Sequence, residues 1–324
     1  MTLISLLLVW PLLKMPKVTG FFRQDLWFEQ WLILLSNTPF FKTQPGLKLF
    51  TALILPLAVL ALICLLLFMF VSPLALVLLN VPVLLYVLRR GDFNRNLREY
   101  IAAWRRGDSV ACVQILLRMD AELPAEILLQ ETDSWPQLHL QALRIFSYCG
   151  FERTFSVFFW FVVLGAPGAL LYRLSALYLS AVEPDDEDRY WALKWLWILE
   201  WPAVRVLGLS WAMVGNFVGC FTLWRECFFC ARKSSSTILL MSAEGALGIL
   251  DVNDDEYDVG NNVGNNVGNS TAQQPESASE SRLEVNSQCI HRDCTGRELT
   301  ALNALMSRTL LLWICLVALV SIFM

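Results

Sequence analysis

Ionisable side chains are scarce in this chain. Only 17% of its 324 residues are charged, whereas soluble domains contain about 25%. The two histidines, His139 and His291, are too few for a His-rich metal site and nearly exclude a hydrolytic triad. The net charge is −4 and no basic face is evident, so we predict no nucleic-acid partner. The chain also lacks a Walker phosphate loop and a GxGxxG motif, and therefore shows no visible nucleotide cradle.

The cysteines predict neither a disulfide framework nor a metal centre. There are nine, an odd number at irregular spacing. Cys227 and Cys230 have CxxC spacing, but no second CxxC accompanies them. The group Cys289, His291 and Cys294 is a single loose cluster beside a polar linker, so it is a weak zinc candidate. From the residues alone we predict no metal and no cofactor.

Apolar residues, by contrast, make up 56% of the chain. The 40 residues from Leu49 to Leu88, between Lys48 and Arg89, contain no charge. A helix rises about 1.5 Å per residue and crosses about 30 Å of hydrocarbon in roughly 20 residues, so this length predicts two crossings. Pro73 interrupts the middle. We therefore predict a transmembrane hairpin over 49–88. The alternative, a buried soluble hairpin, is disfavoured because soluble helices are seldom apolar on every face.

The segments on either side of the hairpin differ in character. Residues 1–48 predict a short apolar N-terminus and an interfacial helix, and Met1–Leu13 lacks the pattern of a removable signal peptide. Residues 89–153 are rich in arginine and read as several short helices. By the positive-inside rule we predict that they form a small helical cytoplasmic loop.

Further membrane helices are predicted over residues 154–224. Residues 154–172 are uncharged and predict a third span, and the acidic loop Glu183–Asp188 has almost no positive charge nearby, which predicts the periplasmic side. The glycine-rich segment 206–224 is uncharged as well. It is favoured to cross the membrane, with a re-entrant or interfacial segment as the alternative.

The last third of the chain is polar until its end. Residues 225–308 predict a polar, largely disordered linker, which includes a Val-Gly-Asn-Asn repeat beginning at Val259. Residues 309–324 predict a short C-terminal transmembrane helix. The fold class expected is therefore all-α, a polytopic helical integral membrane protein with about four to five transmembrane helices. The lipid bilayer is its expected partner.

One polar group stands out beside the apolar segments. Glu200 and Arg205 flank Pro202, ahead of the uncharged stretch that begins at Val206. An arginine next to hydrocarbon needs a partner, so we predict either a buried Glu200–Arg205 pair or a ligand site. The alternative is a snorkelling arginine and an interfacial glutamate with no ligand. Arg173, after the third predicted span, has the same two interpretations.

Four stretches of the chain match the pattern of a known membrane family: Glu200–Gly208, Trp211–Phe217, Tyr100–Asp108 and Phe159–Arg173. They resemble AmpE, an inner-membrane family associated with β-lactamase induction in Gram-negative bacteria. The order of elements over most of Met1–Phe221 and in the last span also fits. The resemblance implies a multi-pass regulatory protein of the bacterial inner membrane that responds to cell-wall damage. Its implied partners are peptidoglycan-recycling or β-lactamase-regulation proteins, and it is expected to have no catalytic chemistry and so no catalytic residue.

AmpE is itself similar to the CbiB/CobD family, which makes adenosylcobinamide phosphate by amide ligation. Gly165–Arg173 and Pro202–Arg205 resemble motifs of that family. The family's acidic clusters are missing here: Cys149 and Gly150 stand before the third span, and Ala176–Leu179 replaces an Asn-Thr-Leu-Asp stretch. An ATP- and metal-dependent ligase needs carboxylates for magnesium. We therefore favour the regulatory hypothesis and keep the amide ligase as the alternative.

Overall fold

The fold is helical throughout the part of the chain that the structure describes. The computed structural model describes residues 25–38, 45–70, 73–88, 93–119, 135–182, 187–228, 233–248 and 277–323. Every regular element in these ranges is a helix and none is a strand, which confirms the predicted all-α class. The predicted apolar N-terminal segment Met1–Leu13 and the Val-Gly-Asn-Asn repeat lie outside the described residues.

The helices are numbered in chain order. Their bounds are α1 Leu26–Ser36, α2 Pro45–Phe70, α3 Pro73–Val87, α4 Phe93–Arg106, α5 Ser109–Met119, α6 Trp135–Gly150, α7 Ser156–Leu164, α8 Ala166–Ala181, α9 Glu187–Val214, α10 Phe217–Phe228, α11 Ser235–Leu247 and α12 Ser277–Phe323. A π-helical segment, Phe151–Phe155, joins α6 to α7.

In the described part of the chain, two helices are long and apolar enough to cross a membrane. They contain the segments Gly46–Phe70 and Gly296–Val320, of 25 residues each. Much of the first segment faces outward, since only 11% of its most apolar window is buried. Outward-facing leucine and phenylalanine side chains on such a helix suit hydrocarbon better than water. Helix α3 has 15 residues, so at 1.5 Å per residue it covers about 22 Å.

The chain divides into two compact units. The first comprises Met1–Gly91, Gly150–Val204 and Leu310–Met324, and the second comprises Asp92–Cys149 and Arg205–Thr309. In the first unit α8 packs on α2 and α3, and α1 packs on α2. Its core is an apolar cluster that includes Leu53, Leu84 and Phe161.

The third predicted span is not one helix. Gly165 has φ 72° and ψ −156°, a conformation that glycine adopts without a Cβ penalty. At Gly168 a Cβ would lie 2.5 Å from the carbonyl oxygen of Trp160. The Tyr172 hydroxyl lies beside Ser156, although a straight helix would separate these residues by about 24 Å. Helices α7 and α8 therefore fold back on each other, and the prediction of a single span over 154–172 is wrong.

One residue of the predicted acidic loop, Asp188, lies beside the start of α2, whereas residues 183–186 lie outside the described residues. Lys48, at the start of α2, forms an ion pair with Asp188 at the start of α9. Phe50 and Trp195 meet close by, with ring centroids 5.5 Å apart. This contact places Asp188 beside the first turn of α2. The predicted cytoplasmic side for residues 89–153 and the predicted periplasmic side for the acidic loop stay predictions.

The predicted crossing over residues 206–224 is not one helix in the structure. Helix α9 ends at Val214 and α10 begins at Phe217. Asn216 N–H donates to the carbonyl of Ala246 at 2.9 Å, and a Cβ at Gly245 would lie 2.8 Å from the Cα of Cys220. Close backbone approach thus explains the glycines better than a membrane span does.

The region predicted as a largely disordered linker contains ordered helices. Helix α11 lies inside it, and residues such as Leu239 and Ala243 on that helix are fully buried. Helix α12 begins at Ser277, so the predicted terminal helix 309–324 is the end of a much longer one. Residues 249–276 lie outside the described residues.

Candidate functional site

Two neighbouring polar residues of α8, Tyr172 and Arg173, organise the candidate site in the first unit. Successive residues on a helix point about 100° apart, so the two side chains reach different partners. Tyr172 contacts Glu200 of α9, and Arg173 contacts Asp25 just before α1. The structure thus gives both Arg173 and Glu200, singled out from the sequence, a polar partner that the sequence pattern did not identify.

The first contact is deeply buried. The Tyr172 hydroxyl donates to Glu200 Oε1 at 3.2 Å, and the two residues are 1% and 3% exposed. Glu152 also acts electrostatically on this hydroxyl, and Ser156 lies beside it. A carboxylate out of water needs hydrogen-bond donors, and the tyrosine supplies one. The hydroxyl thus pairs directly with one carboxylate and feels the charge of a second, and a carboxylate beside a hydroxyl can accept and donate a proton.

Glu152 was not singled out from the sequence. It lies in the π-helical segment Phe151–Phe155, where the wider turn rotates side chains relative to an α-helix, and such turns occur frequently at functional sites. The back-folding at Gly165 then brings the segment to Tyr172. The sequence shows only that Glu152 is an acid at the border of an apolar stretch. That Glu152 lies near Tyr172 depends on the reversal of the chain at Gly165, which the sequence pattern did not predict.

The second contact is a small network around Asp25. Arg173 Nη2 lies 3.4 Å from Asp25 Oδ2, and the Tyr86 hydroxyl donates to Asp25 Oδ1 at 3.0 Å. Trp27 Nε1 in turn donates to the Tyr86 hydroxyl at 3.1 Å. Asp25 occupies the N-cap position of α1 but makes no side-chain cap hydrogen bond. Its carboxylate is thus committed to Arg173 and Tyr86, and their helices are held together by charge and hydrogen bonds.

The predicted Glu200–Arg205 pair stays a prediction. Both residues lie on α9 and are buried, with 3% and 4% exposure, but they belong to different compact units. Within the second unit, the indole N–H of Trp224 donates to the Arg205 carbonyl at 2.9 Å. Burial at this level makes a merely snorkelling arginine a poor description of Arg205.

A magnesium site does not fit the described residues. They contain no group of three or more histidine, cysteine, aspartate or glutamate side chains close enough to share a metal ion. Magnesium prefers six oxygen ligands, several of them waters, and the one carboxylate that hydrogen-bonds within the cluster, Glu200, does not by itself supply such a set. We therefore assign no metal to this cluster. The cysteine clusters at 227–230 and 289–294 have side chains outside the described part of the structure.

Part of the chain resembles CobD proteins. It is 30% identical over 105 residues to the cobalamin biosynthesis protein CobD of Chromobacterium violaceum, which covers 31% of this chain and 33% of that protein. It is 27% identical over 106 residues to the CobD of Stutzerimonas stutzeri, covering 31% and 35%. The chain thus matches about a third of the length of these curated relatives. No protein-family model and no solved structure matches it.

These similarities change the interpretation of the sequence. The prediction that the protein is not an enzyme is contradicted, because both matched relatives are biosynthesis proteins. The similarity to CobD agrees with the amide ligase that the sequence left as the alternative. The resemblance to AmpE finds no counterpart in these two relatives.

Proposed function

We propose that this chain is a membrane protein of cobalamin biosynthesis, acting in amide-bond formation as the resemblance to the CbiB/CobD family implies. The observation that carries the proposal is the partial similarity to two CobD proteins. In the ligation that the resemblance implies, ATP activates a carboxyl group as an acyl phosphate, and the amine nitrogen attacks its carbon, so that the C–N bond forms as the C–O bond to the departing phosphate breaks. The nitrogen also releases a proton, and the buried cluster of α8 and α9 supports the proposal because the Glu200 carboxylate beside the Tyr172 hydroxyl can take that proton up.

We assign the roles residue by residue. Glu200 is the proton acceptor, and the Tyr172 hydroxyl orients its carboxylate at 3.2 Å. Arg173 is the anchor for an anionic group of the substrate, since a guanidinium pairs with carboxylates and phosphates through two parallel hydrogen bonds. Asp25 holds that guanidinium in place at 3.4 Å.

The lipid bilayer is the proposed partner, and the bacterial inner membrane the proposed location. Helix α2 and the apolar part of α12 provide two spans by length and composition. The α7–α8 pair would then be re-entrant, with its turn at Gly165. Irregular backbone at membrane depth is tolerated where it is buried in protein, and Ala166, which follows that turn, is 2% exposed.

Complementation tests the function. The chain is expressed in a strain that lacks its own CobD and grows only when cobinamide is supplied. We expect the wild-type chain to restore growth without cobinamide, and Glu200→Gln to abolish the restoration, because the amide cannot take up the proton. Glu187→Gln is the matched control: it makes the same chemical change at an exposed position on the same helix, and should complement fully.

The outcome that contradicts the proposal is failure of the membrane-inserted wild-type chain to complement. A deletion that changes β-lactam induction of β-lactamase and leaves corrinoid-dependent growth intact would also contradict it. If Glu200→Gln complements as well as Glu187→Gln does, the assigned role of Glu200 is wrong even though the pathway is right.

A further inference from the structure

A groove lies between the two helices of the arginine-rich segment in the second unit. Helices α4 and α5 are joined at Gly107, which has φ 72°, and they pack against each other. The cavity between them has a volume of about 270 Å³. Its lining residues are Glu99, Ala102, Ala103, Arg106, Ala111, Gln114, Ile115 and Arg118. The three alanines leave the hollow open, and the longer polar residues surround it.

The charge around this groove is positive. Glu99, the only acid in its lining, is bound by Arg95 at 2.8 Å, and Arg118 approaches it only at 4.0 Å. Asp108, at the turn, accepts a hydrogen bond from the Ala111 N–H at 3.0 Å. Among the described residues, no acid lies within ion-pair distance of Arg106. One arginine comes from each helix, so the groove presents two guanidinium groups with one partly neutralised acid.

We propose that the α4–α5 groove binds the phosphate group of an anionic ligand. Arg106 and Arg118 are its main contacts, since guanidinium groups match phosphate oxygens in pairs, and the Gln114 amide is a further donor. The volume suits a phosphate or diphosphate with few adjoining atoms, because drug-sized ligands occupy about 300–1,000 Å³. The ligand is either a free phosphate compound or a phospholipid headgroup. The proposal concerns the second unit and is independent of the proposed enzymatic function.

The test uses the full-length protein in phosphatidylcholine nanodiscs. In one arm, binding of pyrophosphate is measured by isothermal titration calorimetry. In the other, nanodiscs contain phosphatidic acid, and retained lipid is measured by native mass spectrometry. We expect binding in one arm or in both, which identifies the source of the phosphate. Arg106→Gln and Arg118→Gln should each weaken that binding about tenfold, the order expected for one charge-assisted contact.

Two further variants separate the groove from general surface charge. Arg98→Gln removes an exposed arginine of α4 that does not line the groove, and should change affinity less than about twofold, as expected for a screened surface charge. Ala111→Leu keeps every charge but fills the α4–α5 groove, so we expect it to abolish binding. Circular dichroism and thermal melting are measured on each variant to establish that it is folded.

Absence of binding in both arms overturns the proposal. So does a loss with Arg98→Gln as large as that with Arg106→Gln, which would show diffuse attraction. Unchanged binding by a folded Ala111→Leu variant would place the ligand elsewhere.

Discussion

Replacing Tyr172 by phenylalanine tests whether the buried Tyr172–Glu200 contact stabilises the first unit. Phenylalanine occupies nearly the same volume, so the change removes the hydroxyl and creates almost no cavity. A hydrogen bond to a charged group contributes about 1.5–3 kcal/mol. The observed 3.2 Å is long for an O–H···O bond, so we expect a loss of about 1.5 kcal/mol at the lower end of that range.

The single variant does not isolate the contact, so a double-mutant cycle is needed. Glu200→Leu removes the acceptor and leaves a buried hydroxyl unsatisfied, which costs about 1–3 kcal/mol. In the double variant both polar groups are absent, so the losses should fall short of the sum by about 1.5 kcal/mol. Tyr190→Phe is the matched control, because Tyr190 is 63% exposed and its hydroxyl should contribute within about 0.5 kcal/mol.

Unfolding is followed by tryptophan fluorescence during titration of detergent-solubilised protein with sodium dodecyl sulfate. Additivity of the two single losses to within about 0.5 kcal/mol would refute the reasoning, since independent sites add to that precision. A loss for Tyr190→Phe equal to that for Tyr172→Phe would show that the assay responds to any lost hydroxyl.

Three further predictions concern the start of α2 and α9, the network around Asp25, and the half-buried carboxyl of Glu244. Single cysteines at Leu47 and Glu187, in a Cys-free background, should react alike with an impermeant thiol reagent in intact cells, because the neighbouring Lys48 and Asp188 form an ion pair; labelling of one alone would contradict this contact. Asp25→Ala should lower the free energy of unfolding by about 1–2 kcal/mol, because it leaves the half-buried Arg173 without this carboxylate partner. Glu29→Ala, at an exposed position, is the control and should change the free energy of unfolding little. Equal losses for the two variants would argue against the Asp25 network. Burial raises the pKa of the Glu244 carboxyl from 4.5, so stability falls as pH rises from that value through the folded pKa. Glu244→Gln should then be more stable than wild type at neutral pH, with the difference shrinking below pH 4.5 in urea melts; a constant difference would exclude titration of Glu244 as its cause.

The sequence by itself determined the helical class and the first long apolar helix. The uncharged, apolar residues that begin at Leu49 predict a long apolar helix, and the structure has one from Pro45 to Phe70. Arg173 and Glu200 were also predictable as sites of interest, because a charged group beside apolar residues demands a partner. Absence of charge is a local property, and local properties can be read along the chain.

Only the tertiary structure decided where the polar groups meet. The run 154–172 has the composition of a span, but Gly165 reverses the chain and brings Glu152 and Ser156 to Tyr172. Hydropathy is the same for a crossing helix and for two halves folded back on each other, so it does not report the reversal. Likewise the partner of Arg173 is Asp25, 148 residues away, and a contact at that separation depends on packing of α8 against distant helices and not on any spacing within the sequence.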